Sequence, residues 1–426
     1  MKTLLLVAGR SQRFWPLSEK PLWPFLGESL LTHQLKRLIE GGLTNITFVG
    51  GNHNLHIVQE AMPDVPVLEQ EDLSLGMRGA LLSALPKMGN EPVCIVSSND
   101  VIEAEGYQAL LKASQQSGVD GAILAQRVSR YFPGGYLVTD GDHVTGVMEK
   151  PGEGNEPSDL VNIVAHVHNH PEKLLAALQN PSSGNDDEYE IALTTLCKDQ
   201  KYVAVPYEGK WNAVKYPWHV LDITDRFLSE ITKQKIHKSA SIHKTAVIEG
   251  PVVIEEGVRM LPHASIKGPC YIGKNSLIGD GALVRQSIIG ENCEIGFGSE
   301  VVRSNLHSHV RAHNTYLGDS VIGHNVAFGA GSVAANLRLD EGEISSVVKD
   351  DKINTQKTKL GVIVGDNVRT GIHTSFGPGV KIGSGSFVNS ATYVSRDVAE
   401  GKYVHTKEGV LEERENKSEV PRAGDV

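Results

Sequence analysis

Four residues in the first quarter of the chain are of types suited to phosphate and metal chemistry. Residues 3–8 form an apolar run that ends at Gly9, and Arg13 and Lys20 follow it. A glycine lets backbone N–H groups approach a phosphate, a guanidinium offers a planar fork of donors, and an ammonium adds a point charge. Asp100 ends another apolar run, where its carboxylate could hold the Mg²⁺ that accompanies a nucleoside triphosphate. Taken singly, such a loop is usually only a loop, and such an aspartate is often a turn former.

The pattern around these residues predicts an α/β domain. Apolar runs alternate with helical patterns from the N-terminus to about residue 125. This alternation is typical of a mostly parallel sheet, in which ligands bind beyond the carboxyl ends of the strands. Gly9 and Asp100 both lie at such ends. The predicted strands are 3–8, 46–49, 65–68, 92–97 and 122–125, and the predicted helices lie near Leu30, over 79–85 and around Leu110.

A different repeat begins at Ile236. Every sixth residue from Ile236 to Val284 is apolar, and small or turn-forming residues lie between them. Neither a helix, with a period of about 3.6, nor a strand, with a period of 2, produces this spacing. A period of six indicates a parallel β-helix in which the repeated aliphatic side chain points inward. The repeat is lost after Val284 and resumes at Phe376, Ile382, Val388 and Val394.

Composition limits the class of protein. A chain of 426 residues favours two domains, and a net charge of −10 argues against a general nucleic-acid surface. The four cysteines lack the spacing of a disulfide framework or zinc site. No segment is long enough to span a membrane, and the apolar N-terminal run is too short for a signal peptide. We therefore expect a cytoplasmic protein with reduced thiols and with no nucleic-acid or membrane partner. The charged segment 401–426 is predicted to be disordered.

Several segments occur together in the order found in a known family. Leu6–Ser18, followed by Lys20–Leu22, resembles the signature of sugar-1-phosphate nucleotidylyltransferases. Val147–Pro151 is similar to the sugar-binding segment of that family, and Trp211–Trp218 is similar to the end of its catalytic domain. The resemblance covers the chain up to about Thr232. It implies an in-line displacement, in which a sugar-1-phosphate attacks the α-phosphate of a nucleoside triphosphate and pyrophosphate leaves.

This resemblance also assigns roles to individual residues. Arg13 and Lys20 would be catalytic, and Asp100 would hold Mg²⁺. The implied nucleotide-binding residues are Ala8, Gly9, Gln70 and Gly76, and the implied sugar-binding residues are Gly135, Glu149, Lys150 and Asn162.

The C-terminal half resembles a second family. The order His313-x-x-Tyr316-x-Gly-Asp, Phe328–Gly331, Ala335–Leu337 and Lys359–Asp366 is similar to the acetyltransferase half of archaeal-type bifunctional enzymes that make UDP-N-acetylglucosamine. The resemblance implies that His313 deprotonates the amine that attacks acetyl-CoA. It also implies a homotrimer, or a higher homo-oligomer, with the acetyl site between neighbouring β-helices. The implied acetyl-transfer residues are Tyr316, Ala330, Asn336 and Lys359.

The sequence therefore predicts two domains. Residues 1–232 should form an α/β Rossmann-like nucleotidyltransferase domain, and residues 233–400 a left-handed parallel β-helix acyltransferase domain. The nucleoside triphosphate, the sugar-1-phosphate and acetyl-CoA would be the small-molecule partners. The sequence does not choose the nucleobase or the sugar.

Four positions depart from the two family patterns. Ser11 replaces a glycine, Met77 a threonine, and Ala327 an asparagine. Ala213 replaces a second metal ligand, which should weaken Mg²⁺ binding. Two alternatives to a fully active enzyme therefore stay open. One is a sugar-nucleotide-binding regulatory or scaffold subunit, and the other is a chain with one active half. In the second case the acetyltransferase half is favoured, because His313 is retained.

Overall fold

The computed structural model describes residues 1–179 and 187–424. Within these ranges no α-helix combines the length and the apolar character that crossing a bilayer would require. The four cysteines are buried free thiols, which agrees with the prediction of reduced cysteines. Burial raises the pKa of Cys94 to about 12, so this thiol stays protonated at neutral pH.

The chain divides into two compact units. The first comprises Met1–Arg10 and Leu31–Ala213. The second comprises Ser11–Leu30 and the chain from Val214 onward. The predicted boundary at residue 232 thus differs from the structural one. Both the segment Ser11–Leu30, here called the signature loop, and the segment after Ala213 pack within the C-terminal unit.

A nine-stranded sheet forms the centre of the first unit. The strand Lys2–Leu6 pairs in parallel with Ile46–Gly50 on one side and with Val93–Ser97 on the other. Leu160–His168 runs antiparallel to both Val93–Ser97 and Gly121–Arg127. The five strands predicted from the sequence all run in the same direction, so the sheet is mostly parallel as predicted, and the antiparallel Leu160–His168 lies between two of them. In spatial order the strands are Val67–Glu69, Ile46–Gly50, Lys2–Leu6, Val93–Ser97, Leu160–His168, Gly121–Arg127, Tyr202–Tyr207, His143–Glu149 and Gly135–Asp140.

The predicted strands and helices of this unit are confirmed within a few residues at their ends. The first helix is amphipathic: Leu31 and Leu38 are fully buried, whereas Lys36 and Glu40 are exposed. The sheet core is formed by buried aliphatic side chains such as Leu4, Ile95, Ile123, Leu137 and Leu193. In chain order the α-helices among the described residues are Leu30–Glu40, Leu55–Ala61, Gly76–Ala84, Ala104–Ser114, Pro171–Gln179, Glu188–Asp199 and, in the second unit, His219–Ser229.

Three sheets of short strands, parallel except for the last strand of the second sheet, form a β-helix in the second unit, as the period of six predicts. The first sheet contains Lys235–Ile236, Val252–Ile254, Cys270–Ile272, Ile288–Ile289, Asn305–Leu306, Val321–Ile322, Ile363–Val364 and Lys381–Ile382. The second contains Ser241–Ile242, Arg259–Met260, Leu277–Ile278, Glu294–Ile295, Arg311–Ala312, Ala327–Phe328, Arg369–Thr370, Phe387–Val388, Lys402–Lys407 and Val410–Glu415. The third contains Val247–Glu249, Ser265–Lys267, Leu283–Arg285, Glu300–Val302, Tyr316–Gly318, Val333–Ala334, Ser375–Phe376 and Tyr393–Val394.

The apolar ladder continues in space where the sequence period fails. In the third sheet, inward residues that pair between neighbouring strands are 18, 18, 17, 16, 17, 42 and 18 positions apart in the sequence. Several coils have 16 or 17 residues instead of 18, so the period of six is lost in the sequence although the apolar core is continuous. One coil of 42 residues contains an insertion. The successive residues are Ile248, Ile266, Val284, Val301, Leu317, Ala334, Phe376 and Val394.

Two antiparallel hairpins extend this unit. The insertion in the long coil contains Ile344–Val348 paired with Asp351–Lys357. The other hairpin pairs Lys402–Lys407 with Val410–Glu415, and Lys402–Lys407 also extends the second sheet. The prediction that residues 401–426 are disordered is wrong for this hairpin. Charged side chains on its exposed edge gave the segment a disorder-like composition, although Val404 is fully buried.

The signature loop packs against residues of its own unit. Trp23 is almost fully buried and donates a hydrogen bond from Nε1 to Asn305 Oδ1 at 3.1 Å. Asn305 Nδ2 in turn donates to Thr224 Oγ1 at 2.9 Å. Phe25 stacks on Phe227 with 5.2 Å between ring centroids. One buried asparagine therefore joins the signature loop and the helix His219–Ser229 to the β-helix.

Substituting Asn305 with leucine tests this junction. The Asn305→Leu variant would bury the Trp23 N–H without an acceptor, which should destabilise the second unit by about 2 kcal/mol. Thermal unfolding followed by tryptophan fluorescence would report the loss. Asn389→Leu is the matched control, since Asn389 is an exposed residue of the same β-helix. Equal melting temperatures for the two variants would contradict a stabilising role for Asn305.

Candidate active sites

Asp100 lies in a short antiparallel ladder in which its cross-strand partner is Ala213. Trp211 Nε1 donates to Asp100 Oδ1 at 2.8 Å, and Phe132 packs against the Trp211 ring. Gln34 Nε2 donates to the carbonyl oxygens of Ser98 and Asp100, which fixes the backbone before the ladder. Directly opposed residues of an antiparallel pair have Cβ atoms about 5 Å apart. A carboxylate at position 213 would therefore lie beside Asp100.

The donor set available for Mg²⁺ is small. In the described part of the chain no group of three or more His, Cys, Asp or Glu side chains is placed to hold a metal ion. Mg²⁺ is nevertheless commonly bound by one or two carboxylates, with waters and substrate phosphates completing the shell. Asp100 fits the role of such a single carboxylate, and Ala213 cannot contribute a second.

The four residues predicted to bind the sugar lie together. Gly135 and Glu149 are cross-strand partners in the hairpin that ends the sheet. A Cβ atom at Gly135 would lie 2.9 Å from Glu149 Oε2 and 3.7 Å from Asn162 Cβ. Lys150 Nζ is 3.3 Å from Glu149 Oε1. The absence of a side chain at Gly135 thus leaves space between Glu149 and Asn162, with a lysine at its edge.

The residues predicted to recognise the base form a closed loop. Gln70 is 3% exposed, and its Nε2 donates to the carbonyl oxygens of Asp72 at 2.7 Å and Gly76 at 2.8 Å. Gly76 has a φ of 53°, a left-handed conformation that favours glycine. Both hydrogens of the Gln70 amide group therefore hold the loop in shape. The structure brings Gln70 and Gly76 together, and their role in base recognition stays a prediction.

The predicted phosphate-binding residues are divided between the units. Ala8 is buried and Gly9 exposed at the end of the first strand. Arg13 and Lys20 belong to the signature loop of the second unit. There Arg13 lines a cavity of about 150 Å³ with Trp15 and other residues, which are Gln12, Val347, Val348, Lys349 and Lys381.

Ser11 stabilises the same loop. It has a φ of 50°, and its Oγ accepts a hydrogen bond from the backbone N–H of Lys20 at 3.5 Å. A glycine at this position would lack that acceptor. The departure at Ser11 is therefore accommodated by a hydrogen bond within the signature loop.

His313 is exposed on a corner of the β-helix. A Cβ atom at Gly296, one coil earlier, would lie 2.9 Å from His313 Nδ1. Glycine at 296 therefore makes room for the imidazole ring. The backbone carbonyl of His313 accepts a hydrogen bond from Thr315 Oγ1 at 3.0 Å, which fixes the corner. The ring is consequently accessible for proton transfer.

Tyr316 and Asn336 meet above Gly318. Asn336 Nδ2 donates to Tyr316 Oη at 3.3 Å and also to the carboxylate of Asp319. A Cβ atom at Gly318 would lie 2.5 Å from Tyr316 Oη and 2.7 Å from Asn336 Nδ2, so only glycine leaves room there. Arg303 holds Asp319 with two hydrogen bonds of 2.6 and 2.7 Å. Both hydrogens of the Asn336 amide group are therefore used within the site.

The sequence patterns did not identify Arg303 as part of this site, and they gave no role to Asp319, the last residue of the motif that begins at His313. Arg303 and Asp319 lie 16 positions apart, and Val302 pairs with Gly318 across one coil. Their opposite charges at a spacing of one coil could have predicted an ion pair, had the shortened coils been recognised.

Ala330, Lys359 and Ala327 are positioned by the backbone. The Ala330 carbonyl accepts a hydrogen bond from the His373 N–H at 2.9 Å. Lys359 is exposed and forms an isolated antiparallel bridge with Leu337, next to Asn336. Ala327, which replaces an asparagine of the family pattern, lies between Arg311 and Arg369 in the ladder of the second sheet.

Family models match both parts of the chain. The model described as nucleotidyl transferase matches residues 2–217, and that of the GMPPB C-terminal domain matches residues 231–353. The bifunctional protein GlmU of Methanocaldococcus jannaschii is 30% identical over 424 residues, which cover 96% of this chain and 99% of that protein. A bifunctional sugar-1-phosphate nucleotidylyltransferase/acetyltransferase of Sulfurisphaera tokodaii is 30% identical over 411 residues, with 95% and 99% covered. The similarity to these proteins therefore extends along nearly the whole chain.

Proposed function

The chain belongs to the nucleotidyl transferase family, and we propose that it is a bifunctional sugar-1-phosphate nucleotidylyltransferase and acetyltransferase. The observation that carries this proposal is the similarity along nearly the whole chain to relatives named as bifunctional, one of which is named a sugar-1-phosphate nucleotidylyltransferase/acetyltransferase. The clustering of Gly135, Glu149 and Asn162 in one unit and of Tyr316 and Asn336 in the other supports it.

Nucleotidyl transfer depends on positioning and charge neutralisation. In the proposed reaction an oxygen of the sugar-1-phosphate attacks the α-phosphorus of a nucleoside triphosphate, and pyrophosphate leaves. Glu149, Lys150 and Asn162 would orient the sugar, and Arg13 and Lys20 would bind the triphosphate. Mg²⁺ at Asp100 would neutralise charge on the phosphate oxygens.

Acetyl transfer depends on a neutral amine. In the proposed reaction His313 takes a proton from the ammonium group of an amino-sugar-1-phosphate, and the amine attacks the thioester carbonyl of acetyl-CoA. The C–S bond then breaks, the acetyl group forms an amide, and coenzyme A leaves as its thiol. Tyr316, Asn336 and Lys359 would bind the sugar phosphate or coenzyme A, and Ala330 would contribute through its backbone. The substrates of both reactions favour a cytoplasmic location.

The proposed assembly is a homotrimer or a higher homo-oligomer formed through the β-helix. Several large apolar side chains on the β-helix are exposed, among them Phe297, Ile372 and Tyr393, each more than half accessible. Apolar groups left accessible on a regular solenoid surface support self-association.

Ala213 favours a second candidate function, in which only the acetyltransferase half is catalytically active. The cross-strand partner of Asp100 cannot ligate a metal ion, and a single carboxylate gives Mg²⁺ a weaker site than two. On this account the first unit would bind nucleotide or sugar nucleotide without turnover.

Replacing His313 tests the acetyltransferase proposal. The His313→Ala variant should lower coenzyme A release from acetyl-CoA and glucosamine-1-phosphate by about 100-fold or more, because the general base is lost. Free thiol release would be measured, with pyrophosphate release from a nucleoside triphosphate and N-acetylglucosamine-1-phosphate as an internal reference. His237→Ala, on the first coil, is the control. Unchanged thiol release by His313→Ala would remove His313 from the mechanism.

Ala213→Asp tests the metal site. The new carboxylate would lie beside Asp100, so the Mg²⁺ concentration at half-maximal pyrophosphate release should fall by about tenfold. The melting temperature reports Mg²⁺ binding without requiring catalysis. Two adjacent carboxylates repel each other, so added Mg²⁺ should raise the melting temperature of this variant more than that of the parent protein. Ala399→Asp, an exposed substitution on the β-helix, is the control. A Mg²⁺ response equal to that of the control would show that position 213 does not contribute to a metal site.

Asp319→Asn tests the acceptor site. Asparagine tolerates the left-handed φ of 49° found at this position, whereas the charge that orients Asn336 would be lost. The KM for the amino-sugar phosphate should rise by about tenfold, since charge-assisted hydrogen bonds to the carboxylate are removed. A rise in the KM for acetyl-CoA instead would place Asn336 beside coenzyme A rather than the sugar. Asp280→Asn elsewhere on the β-helix is the control, and an unchanged sugar KM in Asp319→Asn would contradict the positioning role.

A further inference from the structure

A chain of buried hydrogen bonds leads to Asn162 from the interior of the first unit. Asn162 Oδ1 is 2.8 Å from His166 Nε2, and His166 Nδ1 is 2.7 Å from Tyr189 Oη. Tyr189 Oη is 3.2 Å from His168 Nε2, and His168 Nδ1 is 2.7 Å from Tyr202 Oη. These four residues, Tyr202, His168, Tyr189 and His166, are here called the His–Tyr chain.

The His–Tyr chain lies in the core. Both histidines are fully buried, and Tyr189 and Tyr202 are 2% and 1% exposed. Burial lowers the pKa of His166 and of His168 to about 3, so both rings are neutral at neutral pH. A neutral imidazole has one N–H donor and one acceptor nitrogen. Each imidazole ring of the His–Tyr chain must therefore accept a hydrogen bond at one ring nitrogen and donate one from the other.

Three arrangements meet this requirement: outward, inward, and one in which both imidazoles donate to Tyr189 Oη. The last would leave the buried Tyr189 hydroxyl proton without an acceptor among the described residues, so two directions remain. In the outward direction, Tyr202 donates to His168, His168 to Tyr189, Tyr189 to His166, and His166 Nε2–H to Asn162 Oδ1. In the inward direction every bond is reversed: the Asn162 amide is turned so that Nδ2 donates to His166 Nε2, and Tyr202 Oη accepts from His168. The Tyr202 hydroxyl proton then needs another acceptor. Among the described residues the Tyr202 hydroxyl has a hydrogen bond only with His168, so the inward direction leaves a buried donor unsatisfied. The outward direction is therefore favoured.

We propose that the His–Tyr chain fixes the amide group of Asn162 so that its Nδ2 hydrogens face the sugar pocket. Because Asn162 Oδ1 accepts a hydrogen bond from His166 Nε2–H, the Nδ2 group of Asn162 is the part that faces the pocket, and it donates hydrogen bonds. Glu149, on the other side of Gly135, is an acceptor. Such a pair recognises a hydroxyl group that accepts from Asn162 and donates to Glu149.

The inference deepens the proposed nucleotidyl transfer and rests on it for the identity of the ligand, a sugar-1-phosphate. Asn162 would contact the ligand, and the four residues of the His–Tyr chain are positioning residues. The sequence contains a signal for them, since two histidines alternate with apolar residues on one strand, Leu160–His168. A buried strand has polar side chains at such positions only when they are hydrogen-bonded.

The tautomers of the two histidines test the direction without any activity. In full-length protein labelled with ¹⁵N-histidine, long-range ¹H–¹⁵N NMR distinguishes a proton on Nε2 from one on Nδ1. His166→Gln and His168→Gln would assign the resonances. The outward direction requires the Nε2–H tautomer for both rings, with slow exchange. A proton on Nδ1 of either ring, or a charged ring at neutral pH, would overturn the proposal.

Two substitutions test the consequence for the ligand. Tyr202→Phe removes the first donor, so Asn162 loses its preferred orientation and the KM for the sugar-1-phosphate should rise by about three- to tenfold. Asn162→Asp still accepts from His166 but cannot donate to the sugar, and its sugar KM should rise further. The KM for the nucleoside triphosphate should stay unchanged in both, whereas a general loss of structure would alter both constants. Tyr271→Phe, which removes a buried tyrosine hydroxyl from the β-helix, is the control.

The outcomes separate this inference from the proposed function. Absence of pyrophosphate release from the parent protein with every sugar-1-phosphate would overturn the nucleotidyl proposal, and the NMR result would still decide the direction of the His–Tyr chain. An unchanged sugar KM in Asn162→Asp, with an active parent protein, would show that Asn162 does not donate to the sugar.

Discussion

The β-helix depends on vertical stacking, because each inward side chain is buried only by the equivalent residues of the coils above and below it. Ile266, for example, lies between Ile248 and Val284 and is fully buried. A coil can gain or lose residues only at its corners, where no ladder is broken. The residues proposed for acetyl transfer lie where coil length departs from 18, at the short coils around His313 and at the long coil that contains Asn336. The regular core thus supports an irregular site.

The first unit uses the edges of its sheet in a similar way. The hairpin Gly135–Asp140 and His143–Glu149 places a glycine opposite Glu149, and Asn162 borders the space that the glycine leaves. Behind Asn162 the strand continues into the core with two histidines whose ring nitrogens are all hydrogen-bonded, three to tyrosine hydroxyls and one to Asn162. A buried polar network of this kind fixes the orientation of its members, because every broken bond would leave a desolvated group unpaired.

Much of this arrangement was predictable from local patterns. The period of six from Ile236 to Val284 indicated a β-helix, and the resemblance of Val147–Pro151 to a known segment indicated residues that the structure brings together around Gly135. The remainder depended on contacts that no local pattern contains. Leu160–His168 runs against its neighbours because strand direction is set by the connections between strands.

Non-local contacts also explain the other differences. The signature loop packs with the β-helix through Trp23 and Asn305, which are 282 positions apart. The hairpin after residue 401 was not predicted, since its exposed charged residues outnumber the single fully buried Val404. Arg303 and its ion pair with Asp319 were missed because shortened coils hid their spacing from the period of six.

Together, the two proposed reactions would acetylate an amino-sugar-1-phosphate and then convert the product to a sugar nucleotide on one chain. The most direct measurement gives the protein glucosamine-1-phosphate, acetyl-CoA and one nucleoside triphosphate at a time, and quantifies the products by mass spectrometry. We predict equal amounts of coenzyme A, pyrophosphate and the nucleoside diphosphate N-acetylamino sugar with at least one triphosphate. Release of coenzyme A without pyrophosphate for every triphosphate would contradict the claim and leave a single active half.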